Sequence, residues 1–258
     1  MFLFFDVDGT LWDSHNFIPD NTRRGIKMAQ EKGHKCFINT GRARAFVHNE
    51  DLLSLGFDGI VSSCGCMIEY EGKILYNRLI EKEDCVRTLE SVRKNGLKPI
   101  LEGPNYLYMD KEDFYGDKFG EKVIDEMGDR LLGIRDNWGN WEMSKLSCDT
   151  RCADAKTCYE ELGDIYDYMI HNDAVVEMVP KGFNKGTGIL KVCELLGGDP
   201  KETFSFGDSI NDKEMLETAA VGVAMGNAPD AVKELADHVT AHFSDDGLFK
   251  ALLHFDLI

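Results

Sequence analysis

The chain opens on an unbroken apolar run, Met1 to Phe5, which ends in Asp6-Val7-Asp8-Gly9-Thr10. A run this short, closed by acids and a glycine, predicts a strand buried on both faces of a parallel sheet. Polar positions then alternate with amphipathic stretches. The spacing predicts a helix over Asp20 to Lys32, stopped by Gly33, and a strand over Lys35 to Ile38. A helix from about Ala43 to Leu55 and a strand over Phe57 to Ser62 follow. This β-α-β-α-β order with short connections implies an α/β fold, a Rossmann-like parallel sheet with helices on its faces. Beyond it the pattern changes. A hairpin is expected around Glu71-Gly72, then helices over Glu81 to Asn95 and Glu112 to Met127. Strands are expected over Lys98 to Leu101, Tyr106 to Tyr108 and Trp141 to Cys148. A helix over Asp154 to Leu162 and strands over Tyr166 to Ile170 and Val175 to Val179 complete the region. Such a mixture predicts an inserted α+β domain over residues 82–180. The first pattern returns with a helix over Lys185 to Leu196, a strand over Thr203 to Phe206 and a helix over Asp212 to Thr218. A strand over Val221 to Ala224 and a helix over Pro229 to Leu235 follow. Residues 1–81 and 181–258 therefore form one discontinuous core domain.

Composition narrows the class. The chain has 258 residues, 43% of them hydrophobic, as in an ordinary two-domain globular protein. No apolar stretch reaches the roughly 18 residues of a membrane span, and the first residues lack a basic leader, so a cytoplasmic location is expected. The formal charge of −17 argues against nucleic acid or an anionic membrane as partner. It also means that an anionic substrate needs a metal or placed lysines. The eight cysteines are scattered without a CxxC pair and read as reduced, mostly buried thiols. His238 and His242 read as surface residues.

Ligands in open α/β sheets sit beyond the carboxyl ends of the strands. Four segments end or begin there: Asp6 to Thr10; Thr40-Gly41-Arg42; Lys185; and Gly207-Asp208-Ser209-Ile210-Asn211-Asp212. Carboxylates about 4 Å apart repel by roughly 4 kcal/mol per pair at an effective dielectric near 20. Such a cluster needs a cation, and all-oxygen ligands favour Mg²⁺. The bland alternatives are concrete. Thr40-Gly41 could be a capping turn, Lys185 a solvated first-turn lysine, and Asp212 an N-cap. Arg42 could reach substrate or make a structural ion pair, and Asn184 is equally open.

Asp6-Val7-Asp8-Gly9-Thr10-Leu11, Asn39-Thr40-Gly41-Arg42, Asn184-Lys185-Gly186 and Gly207 to Asp212 resemble the four ordered motifs of the haloacid dehalogenase superfamily. The insertion resembles the C2 cap of its Cof-type (class IIB) sugar-phosphate phosphatases, and Ala224 to Ala228 is similar to another Cof-type segment. The resemblance implies Asp6 as nucleophile, Asp8 as general acid and base, and Thr40 and Lys185 on the transferring phosphoryl group. It implies Mg²⁺ held by Asp6, Asp208, the carbonyl of Asp8 and Asp212, directly or through water. Gly9, Thr10, Gly41, Arg42, Asn184 and Asn211 are the further expected substrate contacts. The implied activity is Mg²⁺-dependent hydrolysis of a small phosphate ester, a sugar phosphate above all, through an aspartyl phosphate, by a monomer or homodimer. A sugar phosphomutase and a non-catalytic sugar-phosphate-binding regulator are the alternatives. Cys64-Gly65-Cys66 stands where the family usually has Asn-Gly-Ala. Substrate choice is expected in the cap, with Glu142 and Glu177 as hydroxyl acceptors and Tyr108, Trp138 and Trp141 as stacking rings.

Overall fold

A computed structural model describes residues 1–172 and 174–258. The chain divides into two compact units. One comprises Met1–Gly41, His48–Asn77 and Phe183–Ile258; the other comprises Arg42–Val47 and Arg78–Gly182.

The first unit begins with β1 (Phe2–Phe5), α1 (Asp20–Glu31), β2 (Lys35–Asn39), α2 (Glu50–Leu53) and β3 (Gly59–Ser62), then the hairpin β4 (Met67–Tyr70) and β5 (Lys73–Asn77). The second unit holds α3 (Lys82–Lys94), β6 (Lys98–Glu102), β7 (Leu107–Tyr108), α4 (Lys118–Met127) and β8 (Leu131–Leu132). It continues through β9 (Lys145–Asp149), α5 (Ala155–Leu162), β10 (Tyr166–Asn172) and β11 (Val175–Pro180). The chain then returns to the first unit with α6 (Lys185–Leu196), β12 (Thr203–Gly207), α7 (Lys213–Thr218), β13 (Val221–Ala224), α8 (Asp230–Lys233), β14 (His238–Val239) and α9 (Gly247–His254).

The first unit's sheet has the order β14-β13-β12-β1-β2-β3-β4-β5. Strands β14 to β3 pair in parallel and the hairpin adds two antiparallel strands. β1 lies in the middle, and its last residue, Phe5, is in register with both Phe206 and Ile38. That register brings Asp6, Asn39-Thr40 and Gly207-Asp208 to one rim. Burial explains the apolar runs: Leu3, Phe4 and Phe5 are fully covered, Phe4 stacking on Phe37 and Phe5 on Phe206. The second unit is a six-stranded sheet, β10-β11-β9-β6-β7-β8, whose Leu101, Leu146, Cys148, Val176 and Met178 share a core with Leu89 and Val92 of α3 and Leu162 of α5.

The helix expected over Ala43 to Leu55 is not continuous. A 3-10 turn covers Arg44–Phe46, Val47 leaves helical geometry, and Asn49 starts α2 afresh by accepting a hydrogen bond from the Leu52 N–H at 3.0 Å. The reason is tertiary. Ala43 and Ala45 are buried in the second unit among Ile100, Leu107, Met109, Phe114 and Val123. Asn49 then offers the N-cap that its short polar side chain favours. The helix expected over Glu112 to Met127 likewise begins only at Lys118, where Asp117 caps it; Lys111–Phe114 forms a separate 3-10 turn.

Candidate active site

Asp6 follows β1 directly and is 3% exposed. Its Oδ1 accepts from the Lys185 ammonium at 2.6 Å, and the same nitrogen donates to Asp212 Oδ1 at 2.6 Å and Asn211 Oδ1 at 3.2 Å. Lys185 reaches that point because α6 starts at it. Asn184 Oδ1 accepts from the Thr187 N–H at 2.8 Å while the Asn184 N–H donates to Thr187 Oγ1 at 3.0 Å, a reciprocal cap. The Asn39 amide then donates to the Lys185 carbonyl at 3.0 Å, tying the helix start to the end of β2.

Asp212 Oδ2 accepts from the backbone N–H groups of Asp208 and Ser209, both at 2.9 Å. The aspartate thus folds the loop after β12 back on itself while its other oxygen faces Lys185. It makes no side-chain cap to α7. Asp208 is held by the Thr10 hydroxyl on Oδ1 at 3.2 Å and the Asn227 amide on Oδ2 at 3.1 Å. Asn227 also donates to the Gly9 carbonyl at 3.0 Å and accepts from the Phe243 N–H at 3.0 Å. Gly9 takes φ +89°, and a Cβ there would lie 2.2 Å from Asp208 Oδ2. Only glycine lets the two loops come this close.

Carboxylate oxygens of Asp6, Asp208 and Asp212 lie within 4.8 Å of one another. Burial pushes the Asp6 carboxyl well above its usual range, Asp212 adds to the push, and Lys185 opposes it. Burial, then Asp212, hold Asp208 up at about 7. Burial works against the charge of Lys185, but Asp212 and Asp6 outweigh it and keep the ammonium's pKa above its ordinary value. One lysine therefore faces three acids. The donor set is all oxygen, the acids are crowded enough to resist joint ionisation, and the Gly9 cradle preserves room beside Asp208. These features fit a hard divalent cation such as Mg²⁺. The side chain of Asp8 is not in this group.

Asp8 is exposed, and its Oδ1 accepts from the buried indole N–H of Trp12 at 2.9 Å. Thr40 is buried; its N–H donates to the Val61 carbonyl and its own carbonyl accepts from the Cys64 N–H at 3.1 Å. Cys64 takes the left-handed conformation (φ 55°), which asparagine tolerates better than most residues. Arg42 belongs to the second unit, where it pairs with Glu126 at 2.7 Å and lies over the Phe46 ring. Of the aromatic residues expected to stack on a sugar, Tyr108 and Trp141 are core residues of the second unit, and Trp138 is half exposed, edge-on to Trp141. Glu177 pairs with the buried Lys145, and Glu142 accepts from Asn105.

Three residues of this constellation had no role assigned from the sequence. Trp12 and Asn227 hold the acids Asp8 and Asp208, and Asn39 anchors Lys185. Asn39 and Asn227 lie within the motif segments themselves, whereas Trp12 had only its position one residue beyond the motif.

A model of the haloacid dehalogenase-like hydrolases matches residues 3–252. YkrA of Bacillus subtilis (strain 168) is 30% identical over 99% of this chain and 98% of its own length. The 5-amino-6-(5-phospho-D-ribitylamino)uracil phosphatase YcsE of the same organism is 29% identical over 98% of this chain and 94% of its own. Among solved structures, the HAD subclass IIB sugar phosphatase BT4131 superposes with a TM-score of 0.81 at 28% identity, covering 100% of this chain and 99% of that one. Ordered motifs, sheet topology and whole-length similarity agree: the chain belongs to the haloacid dehalogenase-like hydrolases and is a Cof-type phosphatase.

Proposed function

We propose that this phosphatase is Mg²⁺-dependent and hydrolyses small phosphorylated metabolites, sugar or polyol phosphates, through an aspartyl phosphate. The observation that carries the reading is the buried Asp6 carboxylate, paired with Lys185 and crowded by Asp208 and Asp212. Asp6, Asp208 and Asp212, with the main-chain carbonyl of Asp8, would hold the cation. When bound, Mg²⁺ supplies positive charge that offsets the crowded acids and the phosphoryl oxygens.

An Asp6 oxygen attacks phosphorus in line, and the bond from phosphorus to the ester oxygen breaks. Asp8 gives its proton to that departing alkoxide. The resulting Asp8 carboxylate next takes a proton from water as the water oxygen bonds to phosphorus. The bond to Asp6 breaks, inorganic phosphate leaves, and Asp6 and protonated Asp8 are regenerated. Lys185 and Thr40 hold the phosphoryl oxygens throughout, with Gly9, Thr10 and Gly41 lining the pocket. Asn211 orients Lys185. An acid–base residue two positions after the nucleophile suits an alkoxide leaving group.

The names of YcsE and BT4131 support the substrate class, the first specifying phosphate on a ribityl chain and the second a sugar phosphatase. Seven of the eight cysteines are buried, as reduced thiols of a cytoplasmic protein would be, and no helix among the described residues is long and apolar enough to cross a membrane. Phosphate release from a panel of sugar and polyol phosphates tests the reading. Release should require Mg²⁺ and fall by at least about a thousandfold in Asp6→Asn, since nucleophile and positioning together carry most of the acceleration. Isomerised phosphosugar without free phosphate would indicate a mutase instead, and tight binding without turnover a regulator.

A further inference from the structure

The loop after β1 closes on itself. The Leu11 and Trp12 N–H groups donate to the Val7 carbonyl at 3.0 and 3.1 Å, and the Gly9 N–H donates to the Trp12 carbonyl at 2.8 Å. This turn carries the Trp12 side chain back beside Asp8. The indole is 2% exposed, and its N–H points at Asp8 Oδ1, 2.9 Å away.

An indole nitrogen is a donor only, so a buried one needs an acceptor. Here the acceptor is a carboxylate, which makes the bond charge-assisted and directional. The bond favours one rotamer of an exposed side chain that has several staggered choices.

We infer that Trp12 is a positioning residue: its indole N–H holds the Asp8 carboxyl in the orientation from which it gives and takes the proton. This rests on the reading of Asp8 as acid and base. In the first step the Asp8 carboxyl releases its proton to the ester oxygen as the bond from that oxygen to phosphorus breaks. In the second, the Asp8 carboxylate takes a proton from the water whose oxygen bonds to phosphorus. Trp12 acts through Asp8, and its hydrogen stays on the indole nitrogen throughout.

The test compares wild type with Trp12→Phe and with a chain carrying 3-benzothienylalanine at position 12. The latter keeps the bicyclic shape and lacks the N–H, so packing is preserved. Each full-length protein, with Mg²⁺, is assayed on a sugar phosphate and on p-nitrophenyl phosphate, whose leaving group departs without a proton. Correct positioning of a general acid accounts for part of a factor of about 10² to 10⁴. On the sugar phosphate, kcat should fall about tenfold or more in both variants with KM unchanged. The rate of the first p-nitrophenol release in a stopped-flow burst should stay within about twofold of wild type. An active wild type whose variants lose nothing, or lose equally on both esters, overturns the inference alone. A wild type that turns over neither ester overturns the phosphatase reading and this inference with it.

Discussion

Gly9 shows how much of the site turns on single atoms. A Cβ at this position would lie 2.2 Å from Asp208 Oδ2 and would also sit on a backbone with φ +89°. Gly9→Ala should therefore displace Asp208 and lower Mg²⁺-dependent activity by at least about tenfold, read as a rise in the Mg²⁺ concentration needed for half-maximal rate. Unchanged Mg²⁺ demand would show that the close approach of the two loops has no part in cation binding. The clustered acids were legible in the sequence, because Asp6, Asp208 and Asp212 stand just past strand ends that the sheet brings to one rim. Their partners were not. Asn227 meets Asp208 across 19 positions of sequence, and Asn39 meets Lys185 across 146. No local pattern announces a contact of that kind, and a single asparagine near a turn is ordinary turn chemistry.

At the scale of the element, the N-terminus of α6 sets the position of Lys185. Asn184→Ala removes a reciprocal cap, and such losses typically cost about 1 kcal/mol. Thermal denaturation should show a fall in Tm of about 2–4 °C, with the lysine still buried. A larger cost would assign Asn184 a further role beyond capping. The longer strands of the parallel sheet, β1, β2, β3, β12 and β13, were read well from their apolar runs, since a strand covered on both faces has no other way to be written. The segment from Ala43 to Leu55 was not. Its alanines and leucines have helical spacing, but Ala43 and Ala45 are claimed by the second unit's core, and Asn49 is a stronger start signal than the residues before it. Tertiary burial overrode propensity there. The two-residue strands at Leu131–Leu132 and His238–Val239 are too short to leave a period in the sequence.

For the molecule as a whole, the proposal makes folding stability depend on the cation. A ligand at about 100 times its Kd adds about 2.7 kcal/mol to the native state. The pH dependence follows from Asp208. Its carboxyl is ordinarily near 3.8 but is held at about 7 in the cation-free protein. The raised value means that the cation-free native state binds a proton that the unfolded chain releases above about pH 4. This contribution to stability is present at low pH and is lost as pH rises through 7. The cation competes for the same oxygens, so its effect runs the opposite way. The Mg²⁺-induced rise in Tm should be small at pH 5.5, grow through pH 7 and level off above it. Asp208→Asn should flatten that profile. A rise in Tm equally large at both ends of the range would contradict the assignment.

The account centres on a phosphoryl group carried covalently by one buried aspartate. Rapid acid quench of a single turnover, followed by peptide mapping by mass spectrometry, reads that directly. The predicted result is one added phosphoryl group on the peptide containing Asp6, formed only with Mg²⁺ present and absent in Asp6→Asn. Full turnover with no phosphorylated peptide at any quench time, or with the label on another residue, would contradict it.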